Sequence, residues 1–346
     1  MKVREAFAGP LISREYFRSG RIHNWNTDMP RIADFMLDGI AFLYRTEDEA
    51  RRRVKLGGTG FIVTREIKRS KELVGVDLHV PYLISNRHVV FGGGASVVSI
   101  NRRDGSPPAI FPFEPTDWTE HSKREDLAAI SLMGYLNHSI HTTAHILESA
   151  LLTEGGFKKL MIGVGDEVFM IGRFINHQGL TQNRPAARFG SISMGPENIW
   201  VKQDNRFQES IAVEMRSRTG FSGAPVAVYR NQGTVISVEI PNEYKAFWAL
   251  LGVNWGYILD EEGENTWLNG VVPAWKILEL FEEPALKKKQ EQIEADFLRR
   301  YANSGTDFSA VVQSFGGPPA SDENPIHRED FTRLVGAAAR KPESKD

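Results

Sequence analysis

The chain contains no cysteine, and that absence excludes several chemistries at once. There can be no disulfide framework, no thiolate nucleophile and no cysteine-ligated metal. Long hydrophobic runs are missing too. No stretch of about 18 apolar residues occurs, so no membrane-spanning helix is expected. The opening MKVREAFAGPLISREYF lacks the apolar run and small-residue cleavage site of a secretory leader. With no leader and no disulfides, the expected location is the cytoplasm. Neither sign of charge dominates, since the formal net charge is -2. Nucleic acids and anionic membranes select a basic excess, so neither is expected as a partner.

What is present is ordinary material for a large core. The 346 residues are 41% hydrophobic and 25% charged. That length suits one large domain with extensions. Ile32, Phe35, Met36, Ile40, Phe42 and Leu43 recur near helical spacing, so a helix is expected over residues 31–53, within an N-terminal extension spanning 1–55. The run Arg51 to Arg53 is expected to be its solvated end.

From Gly57 the texture changes to short β-rich runs at 60–63, 82–85, 96–100, 127–132, 167–172, 188–192, 211–213, 224–229, 249–253 and 270–272. Gly, Pro, Asn and Asp clusters separate them, which predicts an all-β sandwich or barrel. Helix returns over 274–301 and Pro284 is expected to split it. Residues 302–346 are rich in Gly, Pro and Ser and are expected to form a flexible tail, with one short element over 329–340.

Three segments carry chemistry. Tyr82-Leu83-Ile84-Ser85-Asn86-Arg87-His88 is a strand ending at a histidine. Arg124-Glu125-Asp126-Leu127-Ala128 is an aspartate entering an apolar strand. Gly220-Phe221-Ser222-Gly223-Ala224-Pro225 is a serine between glycines. A serine hydroxyl is a poor nucleophile and needs a neutral imidazole to take its proton. That imidazole needs a carboxylate on its other nitrogen, and the tetrahedral oxyanion needs aimed N–H donors. Glycine at 220 frees the backbone for a turn with positive φ, from which the amides of Gly220 and Ser222 can converge.

The chain order His88, Asp126, Ser222 resembles that of the chymotrypsin/trypsin-like serine peptidases, in a cysteine-free form similar to bacterial members. Gly220 to Pro225 resembles the family's Gly-x-Ser-Gly-Gly-Pro signature, with alanine in the fifth place. Gly60-Phe61-Ile62-Val63 resembles the entry to the first barrel, and Gly252-Val253-Asn254-Trp255-Gly256 the strand that pairs with substrate backbone. Gly270 to Pro273 followed by a helix resembles the last barrel strand and terminal helix.

The resemblance implies an all-β, chymotrypsin-like double β-barrel with an N-terminal helical extension, a C-terminal helix and a flexible tail. A trypsin-like peptidase domain of two barrels would span 56–283, and the helix 284–301. It implies a serine endopeptidase acting on a protein or peptide substrate through an acyl-enzyme, with His88, Asp126 and Ser222 as the triad. Gly220 and Ser222 would form the oxyanion hole, and Arg216, Asn254, Trp255 and Gly256 would contact substrate. No cofactor and no metal are implied.

Departures from the family pattern matter as well. Phe221 stands where members matured by cleavage carry an aspartate, so no ion pair to a freed N-terminus can form. Arg87 replaces a small residue before the histidine. Arg216, with Met215 and Ser217 beside it, lies near the family's pocket base. Pointing inward it would favour an acidic side chain, and pointing outward it would meet solvent. Asp104, Asp117 and Asp166 compete with Asp126, and Asp117 is the serious rival. His138, His141 and His145 offer the spacing of a metal site, but with no acidic third ligand in view. The alternative to an enzyme is a catalytically weak module of the same fold that binds or regulates a protein.

Overall fold

The computed structural model describes residue 32 and residues 34–67, 78–137, 140–141, 145–201, 204–230, 247–260 and 262–303. The expected tail from residue 304 and the element over 329–340 lie outside the described residues.

The first sheet is built from β1 (Ile40–Tyr44), β2 (Thr59–Ile67), β3 (Leu78–Ser85), β4 (Val97–Ile100), β5 (Ala109–Phe111), β6 (Thr119–Glu120) and β7 (Ala128–Ser131). The two residues of β8 (Ile146–Leu147) run parallel to β2. The second sheet holds β9 (Glu167–Gly172), β10 (Ala186–Val201), β11 (Arg206–Met215), β12 (Pro225–Arg230), β13 (Phe247–Leu259) and β14 (Asn265–Pro273).

The two sheets share one path. The first runs β5-β4-β1-β2-β3-β7-β6, and the second closes as β10-β11-β14-β13-β12-β9. Leaving aside the short β6 and β8, each has the order fifth, fourth, first, second, third, sixth. This is the chymotrypsin-like double β-barrel. The second sheet closes because β13 pairs with β14. Among the described residues the first stays open, with β6 rather than β5 paired to β7.

Alternation along the strands divides the apolar residues between two cores. Ala41, Leu43, Ile62, Leu83, Val98 and Ile100 fill the interior of the first sheet. Ile40, Phe42, Tyr44, Phe61, Val63 and Tyr82 point the other way, into a continuous core with the second barrel. The first sheet is thus covered on both faces. That explains why Ile40–Tyr44 is apolar at every position and buried throughout.

This strand corrects the helix expected over 31–53. A short apolar run buried on both faces has no period that separates helix from strand. The observed elements are helices at Asp34–Asp38 and Glu47–Arg52 with β1 between them. The first sheet accordingly begins at Ile40, ahead of the boundary expected at residue 56. Arg51 and Arg52 pair with Glu47 and Asp48. Arg53 departs from the solvated role, donating to the carbonyls of Gln178, Gly179 and Gln182.

Pro284 does divide the C-terminal helix, into Trp275–Phe281 and Pro284–Asn303. The first piece packs against both sheets. Phe281 packs on Tyr82 at 5.0 Å between centroids, and Trp275 Nε1 donates to Glu209 on β11 at 3.1 Å. Among the described residues no helix is long and apolar enough to cross a membrane.

Arg173, just past β9, ties the sheets together from within. It is fully buried. It donates to the carbonyls of Leu43, Val54 and Leu56 and to Gln178 Oε1, at 2.6 to 2.9 Å. Its guanidinium lies 4.1 Å from the Tyr44 ring centroid. Burial lowers its pKa to about 10, so it remains a cation at neutral pH. Arg173→Leu would strand those acceptors, each at a cost of about 1–3 kcal/mol. We expect a loss of about 3 kcal/mol or more in urea unfolding, and a loss near zero would contradict this role.

Candidate active site

The site lies at the seam between the sheets. β3 ends at Ser85, and three residues later His88 opens a π-helical turn over His88–Gly92. Its Nδ1 lies 2.7 Å from Asp126 Oδ2, and its backbone N–H donates to Asp126 Oδ1 at 2.8 Å. One carboxylate thus grips the residue twice. Asp126 precedes β7 in a loop where Arg124 has φ of 62°. Asp126 is 4% exposed, whereas the His88 side chain is 40% exposed.

Burial alone would pull the His88 pKa down. The charge and hydrogen bond of Asp126 outweigh it, and the net direction is upward. For Asp126, burial raises the pKa, but the His88 contacts hold it below the ordinary aspartate value. Asp204, in the turn before β11, and Arg206, the first residue of that strand, also act on His88, with opposite signs.

The loop that carries Ser222 is shaped by two glycines. Gly220 has φ of 103° and Phe221 N–H donates to the Arg218 carbonyl at 3.2 Å. Residues 218–221 therefore fit a type II turn with glycine in its third place. Gly223 has φ of 85°, and a Cβ there would fall 2.1 Å from the Thr59 carbonyl oxygen. Within the described residues the amides of Gly220 and Ser222 donate to nothing. Two unused donors on adjoining turns suit an anionic oxygen.

Thr59, first residue of β2, holds this loop from the other sheet. Its N–H donates to the Ser222 carbonyl at 2.8 Å, and its Oγ1 donates to the Gly220 carbonyl at 2.7 Å while accepting from Arg173 N–H at 2.9 Å. Gly58 sits between the two halves of the site. A Cβ on it would lie 2.7 Å from Val89, the neighbour of His88, and 3.0 Å from the Ser222 carbonyl oxygen.

His88 and Asp126 are thus brought into direct contact. Ser222 is not joined to them: its carbonyl lies beside Gly58, whose other neighbour is Val89, and its Oγ donates to the Trp255 carbonyl at 3.4 Å, with no hydrogen bond to His88. Asn254 and Trp255, on β13, belong to the serine side. Asn254 Nδ2 donates to the Phe221 carbonyl at 2.9 Å, and the Trp255 indole donates to Ser210 at 3.0 Å. Gly256 has φ of 144° with open space beside it. Arg216 is exposed between buried Met215 and Ser217.

Arg87 pairs with Glu120, with Nε 2.5 Å from the carboxylate. Phe221 is fully buried, with the Arg188 guanidinium 5.7 Å from its ring. The rival aspartates are engaged elsewhere. Asp117 caps the turn at Glu114, Asp104 accepts from the Ser106 amide, and Asp166 pairs with Arg230. Among the described residues no three His, Asp or Glu side chains gather around a metal position, and His138 lies outside them. Sequence reasoning missed Thr59, Asn86 and Gln208, whose importance comes from partners distant in the chain.

No family model and no curated protein matches the chain. Several solved structures are similar to it. The apo protease domain of MamO from Magnetospirillum magneticum is 15% identical, with a TM-score of 0.45, over 73% of this chain and all of that one. An inactive form of the Rv3671c protease of M. tuberculosis H37Rv is 15% identical, with a TM-score of 0.39, over 71% of this chain and 88% of that one. The HtrA-type protease AlgW with a decapeptide is 15% identical, with a TM-score of 0.35, over 68% and 66%. Likeness at this level carries no function across, and the fold stands on the strand order of the two sheets.

The raised His88 and lowered Asp126 pKa values set a pH window. A raised histidine stabilises below its unfolded pKa, about 6.5, and its contribution is lost as pH rises through the folded value. A lowered aspartate stabilises above its unfolded pKa, about 3.9, and is lost as pH falls through the folded value. The stability advantage of wild type over Asp126→Asn should therefore peak at about pH 4 to 6.5 and shrink on either side. Urea unfolding across that range tests it. A constant difference from pH 4 to 9 would contradict the pairing.

Proposed function

We propose that the chain is a serine endopeptidase that cleaves protein or peptide substrates through an acyl-enzyme. The observation that carries this reading is the His88–Asp126 pair on one side of Gly58 and the Ser222 carbonyl on its other, with the Gly220 and Ser222 amides unpartnered among the described residues. In the proposed mechanism, Ser222 Oγ attacks the scissile carbonyl carbon while His88 Nε2 takes its proton. Asp126 fixes the imidazole tautomer and stabilises the cation that forms. The carbonyl oxygen becomes an anion between the Gly220 and Ser222 amides.

Collapse of this intermediate breaks the C–N bond, and His88 returns the proton to the departing amine. Water then enters and gives a proton to His88. Its oxygen attacks the ester, and the proton passes back to Ser222. The first step requires Ser222 to leave the Trp255 carbonyl. A 3.4 Å contact is long for an O–H donor, and another staggered well is one χ1 rotation away.

Asn254 to Gly256 would align substrate backbone along β13. Buried Phe221 supports activity without a freed N-terminus, since the nucleophile turn rests on packing and on Thr59.

Ser222→Ala should cut peptide turnover by several orders of magnitude while leaving the thermal midpoint nearly unchanged. A fluorophosphonate probe should label wild type and not the variant. The acid limb of kcat/KM should fall above pH 6.5, because the base must lose its proton first. A wild type that neither turns over peptide nor takes the probe would point instead to a binding module of the same fold.

A further inference from the structure

The β10–β11 hairpin belongs to the second barrel, yet Gln208 on β11 reaches the first-sheet loop that carries Asp126. Gln208 is 1% exposed. Its Oε1 accepts from the Asp126 amide at 2.8 Å and from Arg206 Nη1 at 2.9 Å. Its Nε2 donates to the Glu125 carboxylate and, at 3.0 Å, to the Glu209 carbonyl. Both ends of the side-chain amide are used, which fixes its orientation. From the other side, Asn86 Nδ2 donates to the Asp126 carbonyl at 2.9 Å.

This bracing matters because of how the carboxylate itself is held. Among the described residues the Asp126 carboxylate accepts two hydrogen bonds, and both come from His88. It has no side-chain anchor independent of the imidazole it orients. Its placement falls to its own backbone, pinned at N–H by Gln208 and at C=O by Asn86. We propose that Gln208 is a positioning residue for the His88–Asp126 pair, supplied by the second barrel and acting through the Asp126 amide.

Gln208 is neutral, so this action is geometric. The charged groups acting on His88 are Asp126, Asp204 and Arg206. The kinetic consequence rests on the peptidase reading, whereas the geometric one does not. The test is therefore an NMR titration of ring-labelled His88 in the full chain, assigned with His88→Ala, run beside peptide turnover and thermal melting.

Gln208→Leu releases the amide, and the His88 pKa should drop by about half a unit or more. Turnover should fall about tenfold, with KM changed less than about twofold. Gln208→Glu keeps the acceptor and adds a negative charge, so the His88 pKa should hold or rise. Mere loss of stability would not lower the His88 pKa in Gln208→Leu while sparing it in Gln208→Glu. A folded Gln208→Leu protein with an unchanged His88 titration overturns the proposal. If Gln208→Leu does not fold, a lowered His88 pKa in Gln208→Glu overturns it instead. A wild type inert to fluorophosphonate whose His88 still responds to Gln208→Leu sinks the peptidase reading and leaves the positioning role standing.

Discussion

Thr59 uses its amide, hydroxyl and carbonyl at one point between the sheets. The amide and hydroxyl take the carbonyls of Ser222 and Gly220, and its own carbonyl accepts from Ser85 Oγ at 2.7 Å. A peptide group whose carbonyl is held on one side presents its N–H on the other. Fixing those carbonyls therefore also fixes how the turn around Ser222 is oriented. The glycines follow from this. A side chain at 58 or 223 would occupy the space through which the sheets approach, and Arg173 fills the remaining cavity with a cation held by neutral oxygens.

A second brace holds the aspartate side. Lys276, on the C-terminal helix, lies 3.4 Å from Glu125, 2.8 Å from Glu209 and 3.2 Å from Glu279. Burial would depress its pKa, but the surrounding carboxylates outweigh that and hold it above the ordinary lysine range. Glu125 precedes Asp126, and Glu209 follows Gln208. The helix, the long hairpin and the Asp126 loop thus form one charged cluster spanning both sheets. Removing Lys276 would leave three partly buried carboxylates without their shared cation, which is where such clusters become costly.

How much of this the sequence revealed depends on the range of the interaction. His88, Asp126 and Ser222 each stand in a local pattern of strand end, strand entry or glycine-flanked turn. Their order adds the rest. The strands around them were legible for the same reason, from short apolar runs between turn residues. β1 was not, because Ile40 to Tyr44 is buried on both faces and shows neither helical nor alternating polarity. Gln208, Thr59 and Arg173 were illegible because each draws its role from partners about 80 to 160 positions away. A lone Gln on a strand or a Thr among glycines carries no periodic mark.

The central claim is that Thr59 holds a turn whose two free amides meet an oxyanion on Ser222. A crystal structure of the fluorophosphonate-treated protein tests it most directly. The account predicts phosphorus bonded to Ser222 Oγ, a phosphoryl oxygen within about 3 Å of the Gly220 and Ser222 amides, and both Thr59 bonds intact. An adduct on another residue, or a phosphoryl oxygen turned to solvent with the Thr59 bonds broken, would contradict it.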